Sequence, residues 1–276
     1  MPAFEIRQFR PVDLEALYAI SLATGHEGGD ASHLYEDGKL IGHIYSAPYA
    51  ALEPQLALVI EDHEGVAGFA VGTPDTERWH NRLEDEWWPQ LRREYHDPST
   101  IPSAHWSADQ RRAFAIHHPE RHPKQVVEAY PAHLHLNLFS RLQGRGAGAL
   151  LFSAWVARAS RLGVKEMHVC VNRANGRALR FWSKLGFEQL QLADRSPSRT
   201  IWMGRPSACS SRHARDRNVV AALGEGTNVE NRCKMQERIL RRLDRLDAHA
   251  LFGPCEWTWL WVSSMAPSKL PPSERP

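Results

Sequence analysis

Hydrophobic and polar residues change period several times along the chain. Phe4 and Ile6 alternate with Glu5 and Arg7, the mark of a half-buried strand over 4–9. Pro11, Val12 and Asp13 then offer a helix start ahead of Leu14, Leu17, Tyr18 and Leu22, which recur at helical spacing. A second helical stretch is expected over 31–45, ending near Ala47 and Pro48. Residues 55–61 and 66–72 read as strands around the polar turn 62–65, hence a hairpin. Strands at 133–138, 166–171 and 199–203 are separated by helical patterns at 146–162 and 175–185. Helices that alternate with strands in this way make the fold class α/β.

The segment 73–132 interrupts that alternation and reads as an insertion rich in tryptophan and histidine. Trp79, Leu83, Trp87, Leu91 and Tyr95 recur every four residues and form one apolar helical flank, which Pro89 should break or kink. Such a stripe packs on a core; part of a long insertion can also cover an active site. From residue 206 the character changes. A Ser- and Cys-containing linker leads to a basic stretch, 235–251, able to form a helix, and to a Pro- and Ser-rich end. The expected organisation is one folded domain over 1–205, with 73–132 inserted in it, and a largely irregular tail over 206–276.

Composition narrows the classes. The 276 residues are 42% hydrophobic, as in ordinary globular proteins, and 34 Lys and Arg against 32 Asp and Glu leave a net charge of +2. A near-neutral body lacks the basic face that nucleic acid demands, so no nucleic-acid partner is expected. No apolar stretch approaches the ~20 residues of a membrane span, and the first ten residues carry Glu5, Arg7 and Arg10 instead of a signal peptide. A cytoplasmic protein with no membrane partner is expected, and a homodimer is left open. The four cysteines show no C-x-x-C spacing, and Pro119 and Pro123 break any rigid face for His117, His118 and His122, so no metal is expected.

The stretch 138–151 runs from a strand through a glycine-rich turn into an apolar helix. Glycines let the main chain approach a ligand, and a first helical turn presents unpaired amides, an arrangement that suits a pyrophosphate. Neither a P-loop nor an N-terminal dinucleotide-binding unit fits the spacing. Gln143, five residues after the apolar Leu138, with Gly146 and Gly148, and further on Asn175, Ala178, Phe181-Trp182 and Gly186-Phe187, resemble the two motifs of the GCN5-related N-acetyltransferase family. The resemblance covers roughly residues 4–205. A second resemblance, carried by residues 72–75 and 86–89, is to the acetyltransferase-like domain of O-linked N-acetylglucosaminidase.

The resemblance implies a mixed, splayed central sheet with acetyl-CoA as co-substrate and its pantetheine arm between the fourth and fifth strands. Leu136, Asn137 and Leu138 would hold the arm. Gln143, Gly144, Arg145, Gly146, Ala147 and Gly148 would hold the pyrophosphate, with Asn175 and Trp182 on the next helix. Direct attack of a neutral amine on the thioester requires a base or a water chain, because an ammonium has a pKa of about 10.4. Period two puts His133, His135 and Asn137 on one face of the fourth strand, and two such histidines serve the base pathway in the similar arylalkylamine N-acetyltransferases. His135, His133 and Asp75 are the candidate catalytic residues. Trp182 stands where many relatives carry a tyrosine acid, and an indole cannot act as one. The expected activity is transfer of an acetyl group to a primary amine of a small molecule or protein; the alternative is a silent acyl-CoA-binding domain.

Overall fold

The structure, a computed structural model, describes residues 4–192 and 199–206. Strand β1 (Glu5–Gln8) leads into α1 (Leu14–Ala23); α2 (Leu40–Tyr45), α3 (Ala47–Leu52) and the hairpin β2 (Leu58–Asp62) and β3 (Gly65–Thr73) follow. Helices α4 (Thr76–Arg82), α5 (Trp88–Glu94), α6 (Ala108–His117) and α7 (Lys124–Ala129) fill the segment before β4 (Ala132–Leu138). The domain continues through α8 (Ala147–Arg161), β5 (Glu166–Asn172), α9 (Gly176–Lys184), β6 (Glu188–Gln189) and β7 (Thr200–Pro206). The tail beyond 206, with the helix expected over 235–251, lies outside the described residues. Among those described, no helix is long and apolar enough to cross a membrane.

The seven strands form one mixed sheet in the order β1-β2-β3-β4-β5-β7-β6. Every neighbouring pair is antiparallel except β4 and β5. Strand β4 stays in register with β3 from Thr73↔His133 to Gly68↔Leu138, but pairs with β5 only at Ala132↔Met167 and His133↔His168. The sheet therefore splits beyond His133, and the β5-facing main-chain groups of 134–138 have no strand partner.

Alternation along the strands builds two cores. Leu134 and Leu138 pack with Leu151, Phe152, Trp155 and Val156, spaced to form one buried stripe on α8. On the opposite face, Val59, Phe69 and Val71 pack with Leu17 and Ile20 of α1 and with Trp79, Leu83, Trp88 and Ile116 of the insertion.

The chain departs from its sequence pattern at five places. The helix expected over 31–45 is a short 3-10 turn, Ser32–Leu34, followed by α2. Pro48 does not stop the chain; it lies in the first turn of α3, where a missing N–H costs nothing. Residues 54–56 form a 3-10 turn before β2, and the two-residue β6 left no periodic signal. In the insertion, a π-helical segment, Leu83–Trp87, adds a residue to the turn ahead of Pro89, which then sits in the first turn of α5. The extra residue shifts the buried stripe by one, so that Trp88 (3% exposed) and not Trp87 continues Trp79 and Leu83.

Trp155 is fully buried and its indole N–H donates to the Leu56 carbonyl at 2.9 Å. Trp155→Ala should lower unfolding free energy by about 3–5 kcal/mol, read by urea denaturation of the full chain. A loss below about 1 kcal/mol would show that α8 does not anchor this core.

Candidate active site

The split between β4 and β5 opens into a cavity of about 380 Å³ lined by Leu136, Asn137, Leu138, Gln143, Gly144, Gly146, Gly148, Asn175 and Trp182. At its mouth Gly144 and Gly146 adopt φ of +74° and +79°, a left-handed conformation that favours glycine. This geometry turns the chain into α8 with Gly146 as an N-cap that offers no side chain. Among the described residues, the amides of 144–148 donate to no main-chain or side-chain acceptor. Gly148 lies close to Phe181; a Cβ there would come within 3.1 Å of that ring. Gln143 donates to the Leu138 carbonyl at 2.8 Å and accepts from Arg177, which also donates to the Gly28 carbonyl at 2.6 Å. The turn is thus held from outside while its amides stay exposed to a ligand.

On the other face of β4 the side chains form a hydrogen-bonded series whose direction is fixed at one end. The Pro131 carbonyl can only accept, so the Thr76 hydroxyl, 2.6 Å away, donates to it. Thr76 must then accept from His133 Nδ1–H at 2.7 Å. Burial holds His133 far below its ordinary pKa, so it is neutral and its Nε2 accepts the Tyr49 hydroxyl proton at 2.6 Å. Tyr49 has no second proton, and it therefore accepts from His135 Nε2–H at 3.2 Å. His135 is also neutral, lowered to about 4 by burial, and keeps its lone pair on Nδ1. The series ends on a base.

His135 lines a second cavity of about 420 Å³, walled by Tyr45, Trp79, Trp88, Arg112 and Trp202. A smaller space of about 130 Å³ lies between the two cavities, sharing Tyr45, Arg112 and His135 with this cleft and Asn137 with the channel beside the split strands. Asn137 donates to Thr24 Oγ1 at 2.6 Å. Behind His135, the Tyr130 carbonyl accepts from His168 Nδ1–H at 2.6 Å, and His168 Nε2 in turn accepts from His122 Nδ1–H at 2.8 Å. The ring nitrogens of His122, His133 and His168 lie within 4.8 Å of one another, and each ring is already engaged as a hydrogen-bonded imidazole.

No family model matches the chain. Among curated proteins, the O-GlcNAcase of Rattus norvegicus is 20% identical over 204 residues, 73% of this chain and 22% of its own length. The chain thus spans about a fifth of the length of the curated relatives it matches. A GNAT superfamily phosphinothricin acetyltransferase from Sinorhizobium meliloti, solved in complex with acetyl-CoA, is 15% identical with a TM-score of 0.43, over 74% of this chain and 88% of that one. The crystal structure of SsHAT is 34% identical with a TM-score of 0.69, and covers 75% of this chain and 100% of that one.

The chain belongs to the GCN5-related N-acetyltransferase family. Within this acetyltransferase fold, Leu136, Asn137, Leu138, Gln143, Gly144, Gly146, Gly148, Asn175 and Trp182 all line one channel. Arg145 is exposed and the Ala147 methyl is buried, and neither lines the channel. Asn175 uses Oδ1 to cap α9 through Ala178 N at 2.9 Å. The three candidate bases separate. His135 faces the cleft, and His133 is enclosed with both nitrogens engaged. Asp75 is exposed, caps α4 through Arg78 N at 3.0 Å and lines none of the three cavities, so the structure gives it a cap's work. Trp182 is 6% exposed and packs edge-on against Phe152, Phe181 and Phe187.

Tyr49, Thr76, Thr24, Arg177 and Arg112 escaped the reading of the sequence. They carry no local motif; Tyr49 reaches His133 across 84 residues and Thr76 across 57.

Gly146→Asp should abolish coenzyme A binding in calorimetry, because it sets an anion against the amides of the turn. Retained affinity would remove the turn from the binding site. Protonation gives a second expectation. Burial lowers His43, His135 and His168 to about 4, so between the unfolded value of 6.5 and about 4 the unfolded chain binds protons that the folded chain does not. Stability should be full above pH 6.5 and fall as pH drops toward 4, on the order of 3 kcal/mol for one such histidine. A Tm constant from pH 7 to pH 4.5 would contradict this.

Proposed function

We propose that the chain transfers an acetyl group from acetyl-CoA to a primary amine of a small molecule or protein by direct attack on the thioester. The observation that carries this reading is the small cavity lined by both His135 and Asn137, where a thioester lying along β4 meets an amine entering from the aromatic cleft. The amides of 144–148 bind the pyrophosphate, and the unpartnered main chain of 134–138 receives the pantetheine amides and an N–H for the developing oxyanion.

His135 lies too low in pKa to deprotonate a resting ammonium. It acts on the amine as the C–N bond forms, when the nitrogen proton becomes acidic, and Tyr49 fixes the tautomer that presents Nδ1. The C–S bond then breaks, and the thiolate, whose thiol pKa is about 8.5, takes a proton from water. A second reading, acyl-CoA binding without transfer, draws support from Trp182, whose indole packs among phenylalanines and supplies no acid.

Release of coenzyme A across a panel of amines separates the two readings. His135→Ala should lower kcat by about 10²-fold or more with acetyl-CoA affinity kept. In the unmodified protein kcat/KM should rise with pH toward the amine's own pKa, without an inflection near 6.5. Thiol release that no amine accelerates, or full activity in His135→Ala, would overturn the proposal.

A further inference from the structure

The cleft beside His135 holds a cation without a counter-ion. Arg112, on α6, donates through Nε to the Tyr35 hydroxyl at 2.9 Å and through Nη1 to the Tyr45 hydroxyl at 3.0 Å. No carboxylate forms an ion pair with it among the described residues, whereas Arg7, Arg82, Arg92 and Arg141 each hold one. Neutral hydroxyls compensate a guanidinium only in part, and its remaining N–H bonds are unspent. Nη2 makes no hydrogen bond to the described residues and is not sealed from solvent, and Arg112 lines the cavity.

Its position is set by Tyr45. The guanidinium stands 5.4 Å from the centroid of the Tyr45 ring, and that ring lies 5.8 Å from the ring of His135. Arg112 and His135 line both the cleft and the small space that reaches Asn137. The local charge is also positive: Arg111, Arg112 and Arg121 line the cleft against Glu84 and Glu120, and Glu84 is taken by Arg92 at 2.9 Å.

We infer that the acceptor is an amine that also carries an anionic oxygen group, a carboxylate or a phosphate, which docks on the guanidinium fork of Arg112 while the amine reaches His135. The planar fork matches either group, and the aromatic wall of Tyr45 and Trp202 receives the hydrocarbon body. This inference rests on the acetyl-transfer reading above and names the acceptor class for it.

Three matched pairs test it: phenylalanine with phenethylamine, 4-(aminomethyl)benzoate with benzylamine, and O-phosphoethanolamine with ethanolamine. Each compound is titrated by calorimetry into the full chain saturated with coenzyme A, and its acetylation is followed by thiol release from acetyl-CoA. In at least one pair the acidic member should bind tenfold or more tightly than its neutral partner. The responding pair tells carboxylate from phosphate and gives the spacing from amine to anion. Arg112→Met should erase that preference and Arg112→Lys should keep part of it, with coenzyme A binding as the check that each variant is folded. If Arg112→Met does not fold, the preference of the unmodified protein decides alone. No preference in any pair, or an undiminished preference in folded Arg112→Met, overturns the inference. Acetylation of neutral amines without preference for acids would sink this inference and keep the transfer reading. Tight, Arg112-dependent binding of acids with no transfer would sink the transfer reading and keep the anion site.

Discussion

The parting of β4 from β5 after two residue pairs is the constraint on which the rest depends. A central strand stripped of a neighbour leaves buried donors and acceptors that must be satisfied by something other than strand. The fold keeps β4 straight through its unbroken register with β3 and through Leu134 and Leu138, which seat it on α8. The open edge faces the channel, and the glycine turn lies directly beyond, so that strand edge and bare amides line one cavity.

Much of this was legible in the sequence because it is local. The glycines at 144 and 146 stand where a left-handed turn must join a strand to a helix, and two-residue periodicity sorts His133, His135 and Asn137 from Leu134, Leu136 and Leu138. Long-range pairings were not legible. Tyr49 sits on a short helix with no motif, and only the folded chain brings its hydroxyl between two histidines. Asp75 could be read two ways, since a carboxylate that ends a strand before a helix suits both a base and a cap, and in the fold it caps α4. The π-helical segment at Leu83–Trp87 shows a third limit: one added residue moves a buried stripe from Trp87 to Trp88, which no fixed period can anticipate.

The cleft owes its chemistry to burial as much as to residue type. Histidines held neutral add no charge to the cleft, so its positive character comes from the arginines that line it, Arg111, Arg112 and Arg121. The neutral imidazole of His135 and the charged guanidinium of Arg112 thus flank one ring, that of Tyr45.

Tyr130 and Pro131 are neighbours, and each sets one imidazole series through its carbonyl. Two proton arrangements, one ending at His135 and one at His122, are thus read out from adjacent peptide planes. Both imidazole series therefore depend on the same short stretch of backbone ahead of β4.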